Sequence, residues 1–479
     1  MKKLFEPNTR FYRIAAVLVF AIPFMFAARD LNNDLWFTMN HGRYILEHGF
    51  ATVEPFTVHE GLAFSFEKWA TCILFYKAYD WFGGWGVYFV MMAMFSIIIY
   101  LFYQGCLLFS DGNKRVSTIF AICNMCMFGF QYIRTRPQIF SYVFLLWEVI
   151  CLEKYARSGD YRHLYWLPLQ AFMYMQFHST MLPIFFIMML PYLCDFGFIK
   201  IFRLQGTGYR KLPLLIAFVI CWGAAFINPY GARSVVYLFA SLNDNGLLKN
   251  ISEVGRTAWE DFFSCSTFPF IAEVVYLYFA IKKKEKFPLR YFFMAAGTLV
   301  MALYAVRNNA FYALFAGLVG AWQLRHLELP EKIAVPLWKL GGIGCIVATI
   351  IFWCIPFDFN SATYGYEVLK DFEADRRISL YTDFNCGSYA EWRGYRCYAD
   401  PRAEVFLKSI NGKEDILAEV WDSMHMGITV KKLDEKYHFD YWLCQKGYHI
   451  DNVLSATHNY EMVAEADGYR IYHNLDSPY

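Results

Sequence analysis

The chain of 479 residues is 57% hydrophobic and 20% aromatic, and its 18% charged residues fall well short of the roughly 25% carried by soluble globular proteins. Apolar runs of membrane-spanning length recur from residue 14 to residue 355, more than one soluble core absorbs. A net charge of +2, with no long basic stretch and no RNA-binding signature, argues against a nucleic-acid partner.

In chain order, Lys2, Lys3, Arg10 and Arg13 precede an apolar run ending Phe-Ala-Ala-Arg, the layout of a secretory signal peptide. Ten further apolar segments follow, so the run reads as an uncleaved first helix. The expected spans are 11–28, 84–108, 116–132, 138–154, 164–177, 180–197, 212–228, 263–281, 291–306, 311–325 and 334–355. Segment 66–83 is apolar on one face but carries Glu67, Lys68, Lys77 and Asp80. If it lies along the surface, the basic loops at the N-terminus, Lys114–Arg115, Lys154–Arg162, Lys200–Lys211 and Lys282–Arg290 all face the cytoplasm, as the positive-inside rule requires. If it crosses, the run Lys282-Lys283-Lys284-Glu285-Lys286 faces outward. The expected fold class is therefore a polytopic α-helical membrane protein with about 11 transmembrane helices, N-terminus cytoplasmic, in the cell membrane.

Residues 1–355 form the expected transmembrane domain, with long external loops at 29–83 and 229–262. An amphipathic helix from Asp34 to about His48 opens the first loop. Residues 356–479 read as an extracytoplasmic α/β domain, with strands near 377–381, 395–399 and 440–444 and a closing hairpin near 460–473, where Asp467-Gly468 supplies the turn. Of the thirteen cysteines, most sit in apolar segments, where Cys packs as a small hydrophobe. Cys123 and Cys126 make a C-x-x-C without a second pair, and packing is the simpler reading. Cys386 and Cys397 leave a bridge open as an alternative.

Ionisable groups at the outer surface are the site candidates, because charge beside hydrocarbon is costly unless used or paired. Asp30 and Asp34 end helix one, and Glu67 and Lys68 lie further along the same loop. Arg134, Arg136, His178, Asn228 and Arg307 fall in loops that the charge rule places on the same side, with Arg256 beside them. Arginines hold phosphate oxygens by bidentate, charge-assisted bonds, and a carboxylate takes the proton from an incoming nucleophile. That mixture suits an anionic lipid substrate. Each residue also has a plain reading: Asp34 as a helix N-cap, Glu67–Lys68 as a surface pair, the arginines as headgroup anchors, and His178 as a helix-end residue. Glu148 and Glu273 fall inside spans, where pairing is the plain reading and a proton relay the alternative. Asp400-Pro401-Arg402 reads first as a turn.

The stretch from Asp34 to Gly83 resembles the opening of GT-C membrane glycosyltransferases, in particular the protein mannosyltransferase and lipid A aminoarabinose transferase group. The residues that carry it are Asp34, Gly49, Pro55, Gly61, Phe66-Glu67-Lys68 and Phe82-Gly83, in matching order and spacing. Leu35 stands where that group has an acidic partner, and Trp69 and Ala70 stand where it has prolines. Arg136-Pro137, Asn228-Pro229-Tyr230-Gly231 and the terminal domain together also resemble a little-characterised bacterial GT-C-like group.

The resemblance implies that Asp34 is the catalytic aspartate, that a polyprenyl-phosphate sugar is the donor, and that transfer to a cell-envelope glycan, lipid or protein occurs on the outer face. Glu67, Lys68, Arg134, Arg136, His178 and Arg307 are the expected substrate-binding set. No cofactor and no metal ligand is expected, and a divalent-metal requirement is left open. A flippase for a lipid-linked glycan and a non-catalytic membrane scaffold are the alternatives.

Overall fold

The computed structural model describes residues 31–199, 203–242, 255–283, 286–328 and 357–479, with single positions between 343 and 354. The expected span 11–28, Asp30 and most of span 334–355 lie outside the described residues. The helices are α1 (Leu35–His48), α2 (Trp69–Phe82), α3 (Gly84–Phe109), α4 (Lys114–Tyr132), α5 (Gln138–Ser158), α6 (Trp166–His178), α7 (Leu182–Leu193), α8 (Leu212–Ala225), α9 (Ala232–Leu242), α10 (Trp259–Lys283), α11 (Leu289–Tyr304), α12 (Asn309–Gln323), α13 (Gly387–Trp392), α14 (Ile416–Met424), α15 (Val430–Tyr437) and α16 (His449–Ser455), with shorter turns between. The strands are β1 (Phe198–Ile199), β2 (Leu204–Gln205), β3 (Phe287–Pro288), β4 (Ser379–Tyr381), β5 (Arg396–Cys397), β6 (Tyr441–Gln445), β7 (Tyr460–Ala466) and β8 (Tyr469–Asn474).

The chain divides into two compact units. The helical unit comprises residues 1–29, 87–228 and 253–357, and the mixed unit comprises 30–86, 229–252 and 358–479. Thus 358–479, most of the segment expected as a domain of its own, shares its unit with 30–86 and 229–252, while 253–262 of the second loop falls in the helical unit.

In the helical unit, α5 and α6 run antiparallel and α7 runs parallel to α5, which the side-chain contacts at their ends establish. Ser141 Oγ meets His178 Nδ1 at 2.7 Å where α5 begins and α6 ends. Tyr192 donates to Glu153 near the other ends of α7 and α5, at 3.2 Å. Two helical stretches, Gly84–Phe109 and Tyr161–Leu193, have the length and apolarity to cross a membrane, and the second turns at Ser179–Met181. The helices on either side of that turn have 13 and 12 residues, only about 20 Å each and short of a ~30 Å hydrocarbon layer. Among the described residues, these two helices are therefore each shorter than a full crossing.

The basic loops gather at one end of this unit. Arg290 pairs with Glu153 at 2.9 Å and Asp195 at 3.3 Å, Arg157 pairs with Asp111 at 2.5 Å, and Phe287 N–H donates to Arg203 O. Backbone bonds that join β1, β2 and β3 close the same end.

The mixed unit is built on a five-stranded sheet of order β5-β4-β6-β8-β7. β5, β4 and β6 are parallel, and β8 and β7 continue antiparallel. Asp467 and Gly468 both take left-handed backbone in the β7–β8 turn, φ 47° and 76°, the geometry a two-residue hairpin loop needs. The first loop extends this sheet: Val58 N–H donates to Cys397 O at 3.0 Å and Cys397 N–H to Phe56 O at 3.3 Å. Phe56, Leu62, Phe64 and Phe66 of the loop share one core with Tyr381, Tyr398, Phe406, Phe439 and Trp442. The second loop is tied in by Tyr230, whose hydroxyl donates to Ala51 O at 2.8 Å. Cys386 and Cys397 are free, buried thiols, so the bridge left open above is not formed.

Segment 66–83 forms α2, whose 14 residues span only about 21 Å. It packs directly on α1 at Gly42, where a Cβ would collide with the Cys72 carbonyl oxygen. Because that neighbour is backbone, nothing flexible yields. Gly42→Ala should cost about 1–3 kcal/mol as overpacking, read as a lower thermal unfolding midpoint of the detergent-solubilised protein. Unchanged stability would mean that α1 and α2 do not cross this closely.

Candidate functional site

Asp34 is the N-cap of α1, and its side chain makes no capping bond to the helix backbone. The backbone around it is fixed from several directions. Asp34 N–H donates to Asn32 Oδ1 at 3.0 Å, and Thr38 Oγ1 donates to Asp34 O at 2.7 Å. Ser388 Oγ donates to Asn33 O at 2.6 Å and accepts from Phe37 N–H at 3.2 Å, while Asn33 Nδ2 donates to Asn385 O at 2.8 Å. A half-buried carboxylate is thus carried on a pinned main chain, which is what a positioned base requires.

Lys68 is the N-cap of α2, with its ammonium 4.6 Å from the centroid of the Phe37 ring. Asp34 and Phe37 are three apart on α1 and therefore surface neighbours. Burial pushes the Glu67 carboxyl up to about 8, helped by the adjacent Glu404 carboxylate and opposed by Lys68. Burial raises Glu404 as well, again with Lys68 opposing. Glu67 Oε1 is buried without a hydrogen bond, and Tyr237 of α9 stands against both acids. Around neutral pH Glu67 therefore holds a proton that an ordinary carboxyl has released.

Behind α1 lies an ionic centre on Arg402. Its guanidinium grips Asp400 with two bonds, at 2.8 and 2.5 Å, and donates to Glu54 at 2.9 Å. Glu391 Oε2 lies 3.5 Å away. Phe56 and Phe64 cover the guanidinium at 5.1 and 5.5 Å. Glu54 in turn accepts from the backbone N–H groups of Phe56 and Thr57, fixing the loop. Burial, then the cations of Arg402 and Lys68, hold His41 well below the usual imidazole range. Its Nε2, 3.3 Å from Arg402 Nη1, therefore accepts, and its 3.7 Å approach to Glu391 is no ion pair. Asp400-Pro401-Arg402 is thus the centre of a buried network rather than an exposed turn. Glu391, Cys397 and Asp400 present ligand atoms within 4.8 Å of one another, a spacing that suits a metal ion. Both Asp400 oxygens already take the guanidinium, so the cationic charge there comes from Arg402.

The remaining candidates belong to the helical unit, at the end opposite its basic loops. Arg134 and Arg136 occupy the α4–α5 turn, Arg134 exposed and Arg136 half-buried. His178 is buried at the end of α6 against Ser141. Arg307 sits in the 3-10 turn before α12, and Val306 N–H beside it donates to Gly255 O at 3.2 Å. Tyr142 and Phe311 stack edge-on at 6.1 Å just inside these turns, and Gln176 Nε2 donates to Ile227 O at 2.9 Å. Four expected ligands, with Asn228 and Arg256 nearby in sequence to these contacts, are gathered at one end. Asp34, Glu67 and Lys68 belong to the mixed unit. Of the acids expected inside spans, Glu148 is buried with neither oxygen hydrogen-bonded, and Glu273 accepts from Tyr312 at 2.7 Å.

Glu54, Glu391, Arg402, Glu404 and His41 are absent from the expected set. For Arg402 a signal existed, a charged residue directly before the stretch Ala403–Leu407, apolar except for Glu404, whereas nothing in the local sequence marks Glu391.

Two predictions follow from these electrostatics. Arg402→Ala leaves buried carboxyl groups without their cation and should cost about 3–5 kcal/mol, measured as loss of thermal stability. The Glu67 carboxyl has a reference value of 4.5 and holds its proton to about 8 in the folded protein. The folded state thus binds more protons, and stability falls as pH climbs through that window. Glu67→Gln should flatten the fall in urea midpoints between pH 5 and 9; an unaltered slope rejects the assignment.

No protein-family model matches the sequence, and no curated protein sequence is similar to it. Solved structures do match. The chain is similar in fold to the Archaeoglobus fulgidus oligosaccharyltransferase in its apo form, at TM-score 0.57 and 13% identity, over 92% of this chain and 70% of that one. The same enzyme tethered by a disulfide to an acceptor peptide containing the NVT sequon matches at TM-score 0.50, with the same identity and coverage. The chain therefore shares the fold of that oligosaccharyltransferase.

Proposed function

We propose that this chain is an inverting glycosyltransferase of the membrane. It moves a sugar from a polyprenyl-phosphate carrier to an acceptor on the extracytoplasmic face. The observation that carries the reading is the oligosaccharyltransferase-like fold with an aspartate pinned at the start of its first-loop helix. The neighbour tethered to an acceptor peptide makes a protein or glycan acceptor the natural class.

In the proposed reaction, Asp34 accepts the proton of the acceptor's hydroxyl or amide as its lone pair attacks the anomeric carbon. The bond from that carbon to the phosphate oxygen breaks, and polyprenyl phosphate leaves with the electron pair. Arg134, Arg136 and Arg307 hold the phosphate and stabilise the charge that develops on it. Glu67, Lys68 and His178 complete the surroundings. The basic loops at the far end of the helical unit face the cytoplasm under the positive-inside rule, which turns the arginine turns outward.

The test uses purified protein in nanodiscs with a panel of polyprenyl-phosphate sugars. Asp34→Asn should keep donor affinity within about twofold and lower the transfer rate by at least about 10²-fold, the scale of a lost general base. Arg136→Ala or Arg307→Ala should weaken donor binding by about tenfold or more for a lost charged hydrogen bond. A wild-type protein that moves labelled lipid between leaflets without forming product, and whose Asp34→Asn variant does the same, would be a flippase.

A further inference from the structure

A concavity of about 180 Å³ opens in the mixed unit between α1 and the α13–β5 turn. Its floor is made by Asn40 and Glu391, joined by a 2.9 Å bond from Asn40 Nδ2 to Glu391 Oε1. Tyr44 and Phe56 form an aromatic wall, with ring centroids 5.2 Å apart and edge-on. Arg43 and Arg396 stand at the rim.

Both rim guanidiniums spend donors on neutral acceptors. Arg43 bonds Asn40 Oδ1 and, at 3.0 Å, Trp392 O, and it stacks over the Trp392 ring at 4.7 Å. Arg396 Nε donates to Thr57 O at 3.1 Å. Among the described residues neither forms an ion pair, in contrast to Arg402, Arg290 and Arg157. In the floor, Glu391 is almost fully buried, and its Oε2 makes no hydrogen bond. One exposed acid, Glu47, also reaches the rim, leaving a net positive edge over a hydrogen-bonding floor.

We infer that this concavity binds a monosaccharide unit bearing an acidic group, carboxylate or phosphate, with the acid between Arg43 and Arg396 and the hydroxyls on Asn40 and Glu391. The volume admits one sugar ring. The aromatic wall offers an apolar face to the ring's C–H surface, and the guanidiniums match the planar or tetrahedral anion. The inference deepens the glycosyltransferase reading, on which it rests, by making the acceptor an acidic glycan.

The test measures binding of glucuronate, glucose 6-phosphate, glucose and inorganic phosphate to the full-length protein in nanodiscs, by calorimetry. One or both acidic sugars should bind at least tenfold more tightly than glucose and than inorganic phosphate, and the stronger of the two identifies the acid. Arg396→Ala alters an exposed side chain and should cost about tenfold in that affinity. Equal binding of glucose, equal binding of phosphate alone, no binding of either acidic sugar, or full affinity in Arg396→Ala would each overturn the assignment. Acidic-sugar binding without transfer from any donor would sink the enzyme reading and leave the pocket standing. Asp34-dependent transfer without such binding would do the reverse.

Discussion

The guanidinium of Arg402 is the interaction on which the mixed unit depends. Burying a cation requires that its donors be met, and here they are met by groups from distant parts of the sequence. Glu54 comes from the first loop, Glu391 from α13, Asp400 from the adjoining turn, and His41 from α1. Because each partner is itself held, the network fixes the helix that begins with Asp34 relative to the sheet. His41 takes part as a neutral imidazole, since burial and the two cations of Arg402 and Lys68 disfavour a third charge there.

Backbone contacts finish what the charges begin. Gly42 lets α2 come onto α1 at backbone distance. Ser388 clasps the main chain on both sides of Asp34, and Trp36 fills the space between Tyr79, Tyr389 and Trp392. Support of this kind holds the main chain around Asp34 in place.

Much of this organisation was legible in the sequence. The turn at Asp467-Gly468, the start of α1 at Asp34 and the short helix at 69–82 each follow from local chemistry: a hairpin dipeptide, an N-cap residue, and an apolar face interrupted by charge. What local pattern does not encode is pairing over several hundred residues. Glu54 and Glu391 look like ordinary loop and helix acids until the fold brings Arg402 between them. In the same way Thr57 carries no mark that Cys397 is its strand neighbour. Asp400-Pro401-Arg402 was read as a turn because turn chemistry is local and burial is not.

That strand neighbour has a consequence for biosynthesis. The first loop emerges from the ribosome more than three hundred residues before the strand it pairs with, and contacts so distant in sequence form late and slowly. Until then its edge and its phenylalanines have no native cover, and α1 lacks the clasp of Ser388. The aspartate helix is therefore locked only once the last quarter of the polypeptide has been made. A chain truncated before that point thus leaves the first loop unset.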